Sequence, residues 1–152
     1  MNKKGQAFAI YKLLIGAIIA LLILIIIIGA INYLEGLKFD ISRQRFVTGL
    51  KQAVKQPNKD VLKIENVIFK KGDFYSTVSL GREMMLNEEW GKECIELDAA
   101  DTTAFDLESD KITIREEIIT TVYIQCRTTD CAYDCEICCI VSFGKPIEVE
   151  ES

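Results

Sequence analysis

Residues 13–31, LLIGAIIALLILIIIIGAI, form a run of nineteen residues with no charged or strongly polar side chain. As an α-helix the run extends roughly 28 Å, about the hydrocarbon thickness of a bilayer. A helix satisfies its backbone hydrogen bonds internally, as hydrocarbon requires. A core helix of a soluble domain carries a polar stripe at this length, and this run has none. The run therefore reads as membrane-embedded. A secretory signal peptide fits less well, because its apolar region is about 7–15 residues and ends at a small-x-small cleavage site. Asn32-Tyr33-Leu34-Glu35 offers no such site, and Tyr33 suits a membrane–water boundary.

The rest of the chain is of a different kind. Of 152 residues, those beyond the first forty suffice for one small domain. Charge is divided along it. Residues 1–12 carry three lysines and no acid, residues 35–72 carry a net +5, and residues 73–152 a net −13. A basic stretch beside a membrane anchor can meet anionic headgroups or an acidic neighbour. The acidic distal part lacks the basic footprint that nucleic-acid binding needs. No histidine occurs. That removes the commonest general base and the commonest neutral metal ligand, and with them most hydrolase triads and catalytic zinc sites.

The residues ahead of the apolar run are MNKKGQAFAIYKLL. A short basic leader, Lys3-Lys4-Gly5, gives way at once to Gln6, Ala7 and Phe8 and then to the apolar helix. This arrangement resembles the class III signal peptide of archaeal type IV pilins and archaellins. The resemblance covers roughly residues 1–35. It implies that a membrane leader peptidase cuts on the cytoplasmic side between Gly5 and Gln6. The hydrophobic helix then stays on a mature subunit of residues 6–152. Many type IV pilins carry a glutamate at the fifth mature position, where this chain departs with Ile10. The plainer reading of the same residues is a signal anchor with positive-inside lysines.

Beyond the run, Ile41, Phe46, Val47, Leu50, Ala53 and Val54 recur at a spacing nearer 3.6 than 2, with Arg43, Gln44, Lys51 and Lys55 between them. Pro57 and Asn58 follow as a stop. One long helix is predicted over roughly residues 7–56. The organisation is then a leader (1–5), a transmembrane or filament-core helix (6–34), its amphipathic continuation (35–56) and a head domain (57–152). Gly16 and Ala20 form a small-xxx-small pair that lets neighbouring helices approach closely.

In the head, VLKIENVIF (61–69) reads as a strand and Lys70-Lys71-Gly72-Asp73 as a turn. Ser76, with Ser79 as the alternative, caps a short helix from about Thr77 to Leu86. A short strand is expected over 94–97 and an acidic loop over 98–110. Residues 111–126 place Ile112, Ile114, Ile118, Val122, Ile124 and Cys126 on even positions, broken by Glu116 and Ile119, and read as one long half-buried strand. Residues 136–143 repeat the alternation with Ile137, Cys139, Val141 and Phe143 and are expected to pair antiparallel with it. The fold class is α+β, a long hydrophobic helix followed by a small antiparallel β-rich head of pilin-like layout.

Six cysteines, Cys94, Cys126, Cys131, Cys135, Cys138 and Cys139, all fall in the head. The spacing C-x4-C-x3-C-x2-C-C is neither the paired motif of zinc ribbons nor an iron–sulfur ligand run. Adjacent Cys138 and Cys139 point to opposite sides of a strand and do not face one metal. Disulfides are favoured over thiolate metal ligation, and Cys94 is expected to bridge into the 126–139 cluster. A redox pair at Cys135-Glu136-Ile137-Cys138 is a third reading, weakened because such pairs act at helix N-termini. Disulfides need an oxidising compartment. They place the head outside the cytoplasm, although Lys38, Arg43 and Arg45 weigh against Lys3 and Lys4 in the lysine count.

No constellation for catalysis stands out. Glu88-Glu89, Glu116-Glu117 and Asp130…Asp134 read as solvated acids, and Asp98, Asp101 and Asp106 miss EF-hand spacing. No phosphate-cradling glycine loop or N-x-S/T sequon occurs. Trp90 reads as core or a rim contact. No cofactor and no metal is expected. The expected partners are copies of itself or related pilins through the N-terminal helix, the leader peptidase and pilus assembly platform, and membrane lipid. The expected role is a structural subunit, major or minor, of an archaeal surface filament, with adhesion by the heads. The other reading is a non-polymerising single-span protein with an extracytoplasmic binding or redox domain.

Overall fold

A computed structural model describes residues 3–84, 93–132 and 135–148, with side chains from residue 10. It is α+β. Among the described residues a helix α1, Lys3–Lys55, precedes seven strands and one short helix. The chain divides into two units, Met1–Lys38 and Phe39–Ser152.

The second unit contains the last turns of α1 and both sheets. Strands β1 (Leu62–Phe69), β3 (Ile95–Ala99), β6 (Ile118–Arg127) and β7 (Cys138–Phe143) form one sheet in the order β1-β6-β7-β3. Strands β2 (Phe74–Ser76), β4 (Phe105–Leu107) and β5 (Lys111–Ile114) form a second in the order β2-β5-β4. The expected β6–β7 antiparallel pair is present, with Val122 opposite Phe143 and Cys126 opposite Cys139. Among the described residues the head's pairing is antiparallel but for one pair: β3 lies parallel to β7, Ile95 beside Cys139 and Ala99 beside Phe143.

Three expectations are corrected. The single strand over 111–126 is two strands in different sheets, broken at Arg115-Glu116-Glu117. Two adjacent glutamates leave no apolar residue to continue the buried face, and the alternation fails at that point. The loop over 98–110 contains β4, and its first two residues finish β3. Phe105 supplies the reason: it is buried, so its backbone needs ladder partners and finds them on β5. On α1 the buried stripe is Ser42, Phe46, Gly49, Leu50 and Ala53 rather than one starting at Ile41, which is 48% exposed. Gly49 belongs to the stripe because β1 passes close by. A Cβ there would meet the Ile64 Cδ1.

The core lies between this stripe and the inner sheet faces. Phe46, Phe69, Tyr75 and Phe143 form an aromatic cluster with ring centroids 5.4–6.1 Å apart. Leu50, Ile112, Val122, Ile124 and Val141 surround it with no exposed surface. Burial at its edge pushes the Tyr75 phenol up to about 12. Gly72 turns the chain at φ 89° between β1 and β2. The short helix α2, Thr77–Glu83, starts at a reciprocal cap: Ser76 Oγ accepts from Ser79 N–H, and Ser79 Oγ accepts from Ser76 N–H. The predicted extension to Leu86 lies outside the described residues, as do Trp90, Glu88-Glu89 and Asp134.

Candidate functional site

Two regions carry chemistry of their own. The first is the unit of residues 1–38. Every side chain from Ile10 to Lys38 is exposed, including Leu13 at 77% and Ile26 at 69%. An 18-residue stretch has a mean hydropathy of 3.3. In water each exposed leucine or isoleucine forgoes about 1.5–3 kcal/mol of burial, so a dozen or more of them demand an apolar environment. By length and composition this helix is long and apolar enough to cross a membrane. Gly16 and Ala20 stand one turn apart, and a Cβ on Gly16 would meet nothing within 4 Å. The pair leaves a shallow notch open to whatever packs there. Gly5 and Gln6 fall in the first turns of α1.

The second region is the end of the larger sheet where β6 finishes and β7 and β3 begin. All six predicted cysteines meet there, in three disulfides: Cys94–Cys135, Cys126–Cys139 and Cys131–Cys138. Position on the pleat explains the pairing. Cys126 and Cys139 lie directly opposite each other on the inner, buried face. Cys138 is one residue away and faces outward, where Cys131 of the β6–β7 connection reaches it. Cys94 sits just before β3, its carbonyl accepting from Cys139 N–H at 2.9 Å, and it bonds Cys135 across the top. The expected bridge from Cys94 into the cluster is thus present. The C-x2-C of Cys135 and Cys138 is not a redox couple, since each is bonded elsewhere. The sulfurs are cystines and not thiolate ligands, and among the described residues no group of three His, Cys, Asp or Glu is placed to hold a metal.

The acids weighed for calcium do not converge. Asp98 pairs with Lys145 at 2.8 Å and Asp106 with Arg115 at 2.6 Å, on different sheets. Each carboxylate holds its cation partner's pKa above the ordinary value. One residue at the cystine end was read only as a helix stop. Asn58, at φ 62°, donates its backbone N–H to the Cys126 carbonyl and its Nδ2 to Thr128 Oγ1, and its Oδ1 accepts from Thr128 N–H. It clips the end of α1 to the end of β6. The available signal was asparagine's tolerance of the left-handed region directly after a proline.

No protein-family model matches this chain, and no curated protein or solved structure is similar to it. The apolar helix and the disulfides fit a membrane anchor with a head in an oxidising, extracytoplasmic compartment.

Proposed function

We propose that this chain is a structural subunit of an archaeal type IV pilus-like surface filament, held in the membrane as a precursor until assembly. The observation that carries the reading is the apolar surface from Ile10 to Ile31, exposed on all sides and preceded by Lys3-Lys4-Gly5-Gln6. A helix greasy all round is at home in lipid or among copies of itself. Moving from one to the other gains little hydrophobic energy, so close packing at small residues such as Gly16 and Ala20 has to drive it. The cystine-laced head supports the same reading, because disulfides form and persist in the oxidising surroundings outside the cell.

A second reading rests on Lys3 and Lys4, which serve equally as the positive-inside residues of a plain signal anchor. It is a single-span protein that never polymerises and presents the head as a binding domain. The N-terminus separates the two. Intact mass of the membrane-extracted protein is expected to show a chain beginning at Gln6. A chain that begins at Met1 in cells supplied with a leader peptidase of this class would overturn the filament reading in favour of the anchor.

A further inference from the structure

Two sides of the head carry opposite charge. Residues 41–59 hold Arg43, Arg45, Lys51, Lys55 and Lys59 and no acid. The stripe of Ser42, Phe46, Gly49, Leu50 and Ala53 faces the core. At helical spacing this turns Lys51, Lys55 and the exposed Thr48 to the far side of α1. Arg45 stands on one flank of that face, at a groove between α1 and β1. Residues 93–110 hold seven acids and no base. They run through β3, the outer strand of the larger sheet, and β4, the outer strand of the smaller. Lys145, Arg115 and Lys111 neutralise Asp98, Asp106 and Glu108. Glu93, Glu96 and Asp101 are exposed, and among the described residues none of them has a cation partner. Arg45, Lys51 and Lys55 likewise have no carboxylate partner among the described residues.

The two sides do not neutralise each other within one head. α1 packs beside β1, with Gly49 against Ile64, and β1 and β3 are opposite edges of the larger sheet. Three strand spacings, roughly 14 Å, separate those edges. We infer that the charges meet between copies: the outward face of α1 in one subunit rests on the β3–β4 side of the next, with Lys51 and Lys55 facing Glu96 and Asp101. The occupant is a second copy because one such contact accounts for both sets of unpaired charge. An anionic lipid surface would answer the basic face and leave the acidic side unmatched. Complementary potentials fix orientation and suppress wrong partners more than they add affinity. That suits a contact that sets how neighbouring heads stand. The two surfaces differ, so the contact is head-to-tail, and each copy keeps one side free for a further copy. The inference deepens the filament reading and rests on it for the biological setting.

The test uses full-length protein. Heavy- and light-isotope chains are mixed in detergent micelles and reconstituted into membranes, and a photo-crosslinking benzoylphenylalanine replaces Thr48 in the heavy chain. Cross-linked peptides joining position 48 of the heavy chain to residues 93–110 of the light chain are expected. Lys51→Glu with Lys55→Glu in the heavy chain should cut their yield by about fivefold or more. Glu96→Lys with Asp101→Lys in the light chain should restore it, which also shows that the reversed heavy chain is folded. A loss that the light-chain reversal does not restore, or a yield indifferent to both reversals, would overturn the inference. So would cross-links within one chain only, to lipid, to another surface of the copy or to an unrelated protein. The N-terminus of the same sample keeps the two ideas apart. Cross-links in a chain that starts at Met1 sink the filament reading alone, and their absence in a chain that starts at Gln6 sinks this inference alone.

Discussion

The two halves of α1 are made by the same backbone and held by different surroundings. From Ile10 to Lys38 no side chain is covered, whereas from Ser42 to Ala53 every third or fourth residue is buried. The first half has no preferred side, so it can rotate against lipid or other helices without losing contacts. The second half has one side only, fixed by Phe46 among three other aromatic rings and by Gly49 beneath Ile64. In hydrocarbon the first half would keep its helicity because no water competes for its backbone, whereas the second is held by tertiary packing.

Apolar truncations in the two halves should expose this most strongly. Phe46→Ala is expected to destabilise the head by about 3–5 kcal/mol. Leu24→Ala, equally a loss of apolar bulk, should leave head unfolding unchanged. Chemical denaturation in detergent followed by near-UV circular dichroism reads both. Equal effects would mean that the halves are not independent. Removing cross-links ranks next. In the loop-closure model the 41-residue separation of Cys94–Cys135 is worth about 4 kcal/mol and the 7-residue separation of Cys131–Cys138 about 2 kcal/mol. Paired serine substitutions, compared by unfolding midpoint, should keep that order. Leu22→Arg inverts the first test, raising the insertion cost of the apolar half by about 3 kcal/mol and sparing the head. Carbonate extraction of membranes measures it.

Smaller effects refine the packed half. Ser76→Ala should cost about 1 kcal/mol through the lost cap of α2. The Tyr75 phenol titrates near 12 in the folded head and near 10 when unfolded. Between those values the folded state binds the extra proton, so stability is complete below pH 10 and falls as pH rises toward 12. Tyr75→Phe should flatten that decline in a pH series of unfolding midpoints.

The sequence was most legible where one residue type dictates geometry. Nineteen uncharged residues announced the helix, Gly72 the turn, Ser76 the cap, and the odd–even placement of Cys138 and Cys139 the split between two faces of β7. The failures came where a decision is made by distant neighbours. Ile41 looks like a core residue, yet the face of α1 that meets the sheet is the one carrying Gly49, since only glycine admits β1 so closely. β4 was hidden in an acidic stretch because Phe105 alone earns its burial, against β5. Nothing local to residues 95–99 says that they lie parallel to β7, a pairing fixed by a partner some forty residues away. The site was legible in its members more than in its connectivity. All six cysteines were identified, but their register across β6 and β7 chose among the fifteen possible pairings.

The distribution of sulfur also decides where the head yields to mechanical load. Tension arriving along α1 enters the sheet through residues 56–61 and β1. That strand is joined to β6 by backbone bonds interrupted at the Asn66 bulge, and at its base by the Asn58 clip. β6 and β7 are bolted to each other through Cys126–Cys139, and Cys94–Cys135 ties the start of β3 to the connection between them. The seam between β1 and β6 is therefore the tear line. A strong pull would peel α1 and β1 away as one piece and leave a covalently closed three-strand remnant intact behind them.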